Sequence, residues 1–217
     1  EVRKKLKEVG QNGIKDYPWR SAQNLYELLI AELLLKRTTR KAALRAYVTL
    51  LERWPTAEDL AQAEEKDLWS AIRETGLRGR TTTLKNVAFV MARTGNERQG
   101  KELLGILSNI PGVGPYALDS VRLHWFKDRT LPLDSSIQRV LWRVFCGKNP
   151  PKRNPYEDKP LIKISRRLVA SCEKEDLRLV HYGALDIAWN YCRSKPLCVV
   201  CPLESECSWK NSMGCEI

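Results

Sequence analysis

Four cysteines near the end of the chain have the side-chain type and the spacing of a metal site. Cys192, Cys198, Cys201 and Cys207 follow the pattern C-x5-C-x2-C-x5-C. Four thiolates so close in sequence can hold either a tetrahedral zinc ion or an iron–sulfur cluster, and the residue types alone do not choose between them. Cys215 is a further thiol that can replace one of the four as a ligand.

The segment Ile-Pro-Gly-Val-Gly-Pro-Tyr, residues 110–116, has the composition of a tight turn that binds an anion. Gly112 and Gly114 flank Val113, and glycine lets the backbone turn sharply and approach a ligand closely. Predicted helices precede and follow the segment. Exposed N–H groups in such a turn, next to a helix N-terminus, suit a phosphate group and give no base specificity.

Asp134 stands directly before a predicted helix, Ile137–Phe145, and is a candidate catalytic carboxylate. Asp is favoured at the position that precedes the first helical turn, where its side chain accepts backbone N–H groups. A carboxylate whose charge is held there by the helix dipole can also face a cleft and act on a ligand. We therefore interpret Asp134 as an N-cap that can carry chemistry.

The apolar residues recur mainly at helical spacing, and the alternating patterns of strands are scarce, which predicts an all-α fold. Thr56 is expected to begin a short helix, because Glu58 and Asp59 follow it in the first turn. The Pro-, Asn- and Lys-rich stretch 147–160 is interpreted as a long surface loop, and His181 is placed before the last helix. The predicted helical segments are 25–35, 42–51, 68–72, 84–91, 101–108, 116–125 and 137–145.

The charge balance indicates a polyanionic partner. The 217 residues include 37 Lys and Arg against 26 Asp and Glu, a formal net charge of +11. Nucleic acid is the usual partner of so basic a protein, although charge alone does not establish it. The length allows one large domain or two small ones. Since no signal peptide or membrane segment is recognisable, we expect an intracellular location, where clustered cysteines indicate metal more often than disulfides.

The hairpin and Asp134 together resemble a motif of the endonuclease III superfamily of DNA glycosylases. That motif is Leu/Ile-Pro-Gly-Val-Gly, then any one residue, then Lys, Tyr or Ser, with an Asp 18 positions after that last residue, and Tyr116 and Asp134 match it. The resemblance extends over nearly the whole chain. Residues 17–20 are similar to the family's entry segment, residues 32–39 to its wedge-bearing segment, and residues 76–77 to its second DNA-intercalating loop.

The resemblance implies two α-helical lobes around a DNA-binding cleft. One lobe, residues 18–130, is expected to be a six-helix barrel that contains the helix–hairpin–helix motif. The other is expected to join residues 1–17 to residues 131–217 and to hold the cysteines. Relatives carry C-x6-C-x2-C-x5-C around a [4Fe–4S] cluster, so the resemblance favours that cluster over zinc. The first interval is one residue shorter here, which leaves zinc open.

Position 116 decides which reaction the resemblance implies. Bifunctional relatives have a Lys there that attacks C1′ and then cleaves the strand, whereas Tyr116 cannot form a Schiff base. A monofunctional enzyme is therefore expected. Tyr116 with Glu32 most resembles the archaeal glycosylases that remove thymine or uracil opposite guanine. In the implied roles, Asp134 stabilises the sugar cation and activates water. Glu32 donates a hydrogen bond or a proton to the departing pyrimidine, and Tyr116 shapes the pocket.

Further residues are implied to bind duplex DNA. Arg37 and Leu77 would fill the gap that the flipped base leaves and hold the orphaned guanine. A phosphate contact is the alternative interpretation of Arg37. The implied phosphate contacts are the hairpin residues Gly112, Val113 and Gly114 and the side chains of Arg193 and Lys195 in the first cysteine loop.

Two other functions stay open on the sequence. One is an adenine glycosylase acting on G·A or 8-oxoguanine·A mispairs, whose branch also has a Glu at position 32 but usually a further C-terminal domain for which this chain has no room. The other is a non-catalytic protein that binds damaged DNA, for which a carboxylate at position 134 has no use. The expected partner is double-stranded DNA with a mispaired or damaged base, and the protein is expected to be a monomer.

Overall fold

The computed structural model describes residues 1–94 and 101–212, and the regular structure of these residues is entirely helical. The predicted all-α fold class is confirmed. Within the described ranges, no helix is long and apolar enough to cross a membrane. Cys215, named above as a reserve ligand, lies outside the described residues.

The chain packs into two compact units. The central unit is Tyr17–Val121, and the terminal unit joins Glu1–Asp16 to Arg122–Ile217. The central unit ends at Val121, whereas the sequence analysis placed the end of the first lobe at residue 130. In chain order the helices are α1 Val2–Asn12, α2 Leu25–Leu35, α3 Arg40–Arg53, α4 Ala57–Gln62, α5 Glu65–Ile72, α6 Arg80–Thr94, α7 Lys101–Ser108, α8 Pro115–His124, α9 Ser135–Cys146, α10 Lys159–Ala170, α11 Leu177–Asn190 and α12 Ser208–Ser212.

Side-chain caps fix several helix starts in the central unit. Asn24 accepts the N–H of Glu27 at 2.9 Å at the start of α2, and Thr39 is the N-cap of α3. Thr56 and Asp59 form a reciprocal capping box at α4, so the predicted short helix is confirmed.

Helix α2 lies at the core of the central unit. Eight of its eleven residues are buried, which leaves little polar surface on any side. A helix that is apolar nearly all round is stable only when other elements cover it. Glu27 sits in the first turn, where its carboxylate accepts the N–H of Gln23 at 2.7 Å. Glu32 is therefore the one carboxylate that α2 carries into its buried middle and final turns.

The terminal unit has its own apolar core, formed mainly by α9, α10 and α11 together with α1. Helices α1 and α11 pack at close range because each contributes a glycine. A Cβ on Gly10 would collide with the carbonyl oxygen of Leu179, and a Cβ on Gly183 with that of Leu6. This contact ties the first residues of the chain to its C-terminal half.

Two local predictions differ from the structure. His181 lies inside α11 rather than before it, and it is buried. The stretch 147–160 is not only surface loop, because Asp158 within it is fully buried and caps α10. Its Oδ2 accepts the side-chain N–H groups of Gln138 and Trp142, both at 2.8 Å. These bonds fix α10 to α9, and the polar composition of the stretch concealed them.

Candidate functional site

Asp134 is the N-cap of α9 in the terminal unit, as the sequence predicted. Its Oδ1 accepts the N–H of Ile137 at 2.7 Å. The residue is half-buried, and loss of solvent raises the pKa of its carboxyl group above the ordinary value, against the opposing effect of the hydrogen bonds from Ile137 and Ser136. Asp134 is thus an oriented carboxylate with raised basicity, which suits general-base work and the stabilisation of a nearby cation.

The hairpin of residues 110–114 lies in the central unit between α7 and α8. Its turn is closed by the N–H of Val113, which donates to the carbonyl of Ile110 at 3.0 Å. Gly112 has a left-handed φ of 99°, and a Cβ there would collide with the Thr83 side chain. A Cβ on Gly114 would meet nothing within 4 Å.

The two hairpin glycines therefore differ in their structural surroundings. Gly112 is required by backbone conformation and by its close contact with Thr83. Gly114 borders open space that a ligand backbone can enter. The N–H of Val113 is used inside the turn and the side chain of Val113 is buried.

Glu32 and Tyr116 both belong to the central unit. Glu32 is half-buried on α2, and its Oε2 is closed off from solvent. Its neighbours Ala31 and Leu33 are buried. Tyr116 is the second residue of α8, half-buried, and Pro115 before it occupies the helix position that proline favours.

Two exposed side chains, Arg37 and Leu77, project from neighbouring loops of the central unit. The Arg37 loop, residues 36–39, follows α2, and Arg37 has a left-handed φ of 53°. The Leu77 loop, residues 75–79, contains Gly76, whose φ is 80°. Thr38 Oγ1 donates to the carbonyl of Thr75 at 3.1 Å and so joins the two loops directly. The structure thus brings the two predicted DNA-probing residues onto linked loops.

A buried arginine lies beneath both loops. Arg80, the first residue of α6, donates to the carbonyl of Lys36, to Thr38 Oγ1 at 3.1 Å and to the carbonyl of Thr75 at 3.2 Å. One helical turn later, Thr83 donates to the carbonyl of Pro111 at 2.8 Å and holds the hairpin. The start of α6 is therefore the common support of the Arg37 loop, the Leu77 loop and the hairpin.

The four predicted metal ligands line one pocket of the terminal unit. Cys192, Cys198, Cys201 and Cys207 face it together with Trp209, and none of the four is in a disulfide. Burial raises the pKa of the Cys201 thiol to about 11. Within the described ranges, no set of three or more Cys, His, Asp or Glu side chains is placed to hold a metal ion. The four donors agree with a metal cluster in number and chemistry.

Two arginines of α9 hold the first cysteine in place. Arg139 donates to the carbonyl of Cys192 at 2.6 Å, and the buried Arg143 donates to the carbonyl of Arg193 at 2.6 Å. Arg143 also contacts the Sγ of Cys192 at 3.5 Å. The exposed side chains of Arg193 and Lys195 follow this cysteine, and the Nε of Arg193 donates to the carbonyl of Trp189 at 2.9 Å. Helix α9 therefore connects Asp134 to the cysteine segment.

A family model described as "HhH-GPD superfamily base excision DNA repair protein" matches residues 30–175, about two thirds of the chain. The chain belongs to this HhH-GPD superfamily. It is 35% identical to a thymine/uracil-DNA glycosylase of Pyrobaculum aerophilum, over 88% of this chain and 83% of that protein. It is 32% identical to a thymine-DNA glycosylase of Aeropyrum pernix, over 92% of this chain and 89% of the relative.

A solved structure supports the same fold. The structure of a thermostable thymine-DNA glycosylase superposes with a TM-score of 0.77 at 25% identity, covering 97% of this chain and 95% of that one. The HhH-GPD match contains Glu32, the hairpin and Asp134, but it ends before the four cysteines. The family membership inferred from the hairpin and Asp134 is confirmed.

Sequence reasoning missed the residues that support the site in this HhH-GPD protein. Arg80 and Thr83 lie in a polar run at the start of α6, and a run of this kind reads as solvent-exposed. Arg139 and Arg143 are spaced at i and i+4 on α9, which also looks like an ordinary exposed face. For Arg80 and Arg143, the available signal is a position that the helical period places on a buried face.

Proposed function

We propose that this chain is a monofunctional DNA glycosylase that hydrolyses the N-glycosidic bond of thymine or uracil paired with guanine and leaves an abasic site. The observation that carries the proposal is Asp134, an oriented, half-buried carboxylate with a raised pKa on an otherwise basic protein. The two relatives at 32% and 35% identity bear the names thymine-DNA glycosylase and thymine/uracil-DNA glycosylase, and these names support the choice of base.

Asp134 acts on the sugar and on the attacking water. As the bond between C1′ and the base nitrogen breaks, positive charge develops on the sugar, and a fixed carboxylate stabilises that charge. The water oxygen then bonds to C1′ and gives its proton to Asp134. The hydrogen bond from Ile137 keeps the carboxylate in one orientation during these steps.

Glu32 and Tyr116 act on the base. The departing pyrimidine takes the electron pair of the broken bond. Glu32, from its half-buried position on α2, donates a hydrogen bond to the pyrimidine or protonates it. Tyr116 shapes the pocket at the start of α8. Because a phenol cannot form a Schiff base with C1′, the strand stays intact after the base leaves.

The protein binds double-stranded DNA through the hairpin and the two loops above α6. The backbone near Gly114 receives a phosphate, while Arg37 and Leu77 occupy the space of the flipped nucleotide and contact the orphaned guanine. A mispaired base costs less to flip than a paired one, which adds selectivity. Arg193 and Lys195 meet phosphates on the terminal unit. The active form is a monomer.

The resident cofactor in this proposal is a [4Fe–4S] cluster held by Cys192, Cys198, Cys201 and Cys207. Four free thiols around one pocket support it, and a glycosidic hydrolysis transfers no electrons. When bound, the cluster supplies covalent cross-links that fix the C-terminal segment. The residues that act on DNA from this segment are Arg193 and Lys195.

Base release from a panel of duplexes tests the function. Purified protein is incubated with duplexes that carry G·T, G·U, A·U, G·A or 8-oxoguanine·A, and strand breaks are measured with and without alkali. We expect breaks at G·T and G·U only after alkali. Base release from the G·A and 8-oxoguanine·A duplexes alone would indicate an adenine glycosylase. Breaks without alkali would disprove the monofunctional assignment, and binding with no release would indicate a damage-binding protein.

A further inference from the structure

Arg80 makes an unusual set of hydrogen bonds for a buried cation. Its side chain is 5% exposed, and its guanidinium donates to three neutral oxygen atoms. Two of the acceptors, the carbonyl of Lys36 and the hydroxyl of Thr38, belong to the Arg37 loop. The third, the carbonyl of Thr75, belongs to the Leu77 loop. One side chain therefore spans two loops that are about 40 residues apart in sequence.

The contacts to the Arg37 loop lie on both sides of Arg37. Lys36 and Thr38 are its direct neighbours, and Arg37 itself has a left-handed φ of 53°. A residue with a Cβ persists in this conformation only when its surroundings hold it there. Arg80 provides that hold, because the same guanidinium binds the residue before and the residue after the strained one.

The contact to the Leu77 loop lies just before a second left-handed residue. Thr75 precedes Gly76, whose φ of 80° turns the chain so that Leu77 is exposed. The hydroxyl of Thr38 also donates to the carbonyl of Thr75. The two loops thus share one buried hydrogen-bond network with Arg80 at its centre.

We propose that Arg80 is a positioning residue that makes the Arg37 and Leu77 loops enter the duplex as one rigid unit. The proposal rests on the proposed function, since it takes Arg37 and Leu77 as the residues that probe the DNA. Arginine suits this task better than lysine, because its planar group offers five donors in a fixed fork and can bind two loops at once.

Coupled loops bind DNA differently from independent ones. Ordering each probing side chain separately costs conformational entropy at the moment of binding, whereas a fixed pair has lost that freedom beforehand. Residues that act as a unit also give strongly non-additive effects when they are removed. The proposal therefore predicts coupling between Arg37 and Leu77 that depends on Arg80, although Arg80 itself is buried away from DNA.

A double-mutant cycle measures this coupling. The variants Arg37→Ala, Leu77→Ala and the double variant are compared in the wild-type and Arg80→Lys proteins. The readout is the rate of fluorescence rise from 2-aminopurine placed beside a G·T mispair, which reports unstacking and needs no base release. In the wild-type background we expect each single change to slow the rise about tenfold and the double change to add little more. In the Arg80→Lys background the two effects should multiply.

Two further variants keep the test interpretable. Thr38→Val removes the hydroxyl that joins both loops and leaves Arg80 in place, so it should reduce the coupling even if Arg80→Lys folds poorly. Thr83→Val, one turn further along α6, removes the bond to the hairpin carbonyl of Pro111 and should leave the coupling of the two loops intact. Thermal unfolding of every variant reports its folded fraction.

The outcomes separate this proposal from the proposed function. Effects of Arg37→Ala and Leu77→Ala that already multiply in the wild-type background would overturn it, as would coupling that survives both Arg80→Lys and Thr38→Val. If the two loops act together in unstacking the mispair but no base is released, the role of Arg80 stands and the glycosylase assignment is disproved.

Discussion

The surroundings of Asp134 affect the charge of its carboxyl group in two opposite ways. As an N-cap it accepts the N–H of Ile137, which favours the ionised form, while burial favours the neutral form and prevails. Since the folded-state pKa lies above the unfolded value, ionisation costs stability as the pH rises through the folded pKa. The ionised carboxylate therefore lowers the stability of the fold at this position, and such shifted groups are common at functional sites.

Asp134→Asn should separate catalysis from folding. Asn caps a helix as well as Asp does and carries no charge, so the melting temperature should stay the same or rise. Base release under single-turnover conditions should fall by about 10² to 10⁴-fold, because the cation loses its counter-charge and the water its base. Affinity for duplex DNA should hold or improve, since a negative charge has gone. Release at the wild-type rate would remove Asp134 from the reaction.

The pH dependence of base release should reflect the same carboxyl group. Protonation of Asp134 removes both its charge and its basicity, so the rate should fall as the pH falls through its folded-state pKa. Because burial raises that pKa, the midpoint should lie above about 3.9, the value of an unperturbed Asp. Single-turnover rates from pH 4 upwards measure it, with circular dichroism as the control for acid unfolding. A rate that stays flat down to about pH 4 would contradict the assignment.

The two hairpin glycines should respond differently to alanine. Gly112→Ala places a Cβ against Thr83 at a left-handed φ, so the melting temperature should fall by several degrees. Gly114→Ala meets nothing within the protein, so the fold should be unaffected while affinity for undamaged duplex falls. Calorimetry and fluorescence anisotropy measure the two effects. Unchanged DNA affinity in Gly114→Ala would move the phosphate away from this turn.

At the scale of elements, the sequence predicted two helices with the bounds that the structure has. The segments 25–35 and 101–108 match α2 and α7 to the residue. The sequence analysis gave no helix for α1 or α10, although the apolar residues of both recur at helical spacing. Tertiary contacts such as those of the α1 glycine with α11 add to the stability of α1, and no local pattern reveals these contacts.

The site was predictable in its reactive groups and not in its supports. Asp134 and the four cysteines have side-chain types and spacings that indicate chemistry by themselves, and the structure puts Asp134 at a helix start and the cysteines around one pocket. Arg80 and Asp158 are polar residues whose importance comes from burial. Burial of a polar side chain is decided by which elements pack together, and one sequence does not contain that information.

The cysteine segment should depend on the proposed cluster, and loss of the cluster should weaken the contacts of that segment with α9. Replacing Cys198 by Ala removes one of the four proposed ligands, so iron content should drop and the chain beyond α11 should become sensitive to protease. The contacts of Arg139 and Arg143 with residues 192–193 weaken with it. Cys146→Ala is the matched control, because Cys146 does not line the pocket. Full iron retention in Cys198→Ala would exclude that cysteine as a ligand.

For the molecule as a whole, the net charge of +11 makes DNA binding sensitive to salt, and the number of phosphates that local cations neutralise sets the size of that dependence. Every phosphate that a cation neutralises releases counterions, so the logarithm of affinity falls linearly with the logarithm of salt concentration. Arg193 and Lys195 are exposed beside the cysteine pocket and carry two of these charges in the proposed complex. Base release from saturated complexes should not share this dependence, because the bound geometry is already formed.

The double variant Arg193→Gln/Lys195→Gln should lower the salt slope for undamaged duplex by about two, since each phosphate contact contributes about 0.9. Fluorescence anisotropy at several salt concentrations measures the slope. Lys4→Gln/Lys7→Gln removes the same charge from α1, where both lysines already pair with acids, Glu1 at 4.0 Å and Asp176 at 2.8 Å, and should leave the slope unchanged. Equal shifts in both pairs would mean that the overall field attracts DNA without local contacts in the cysteine loop.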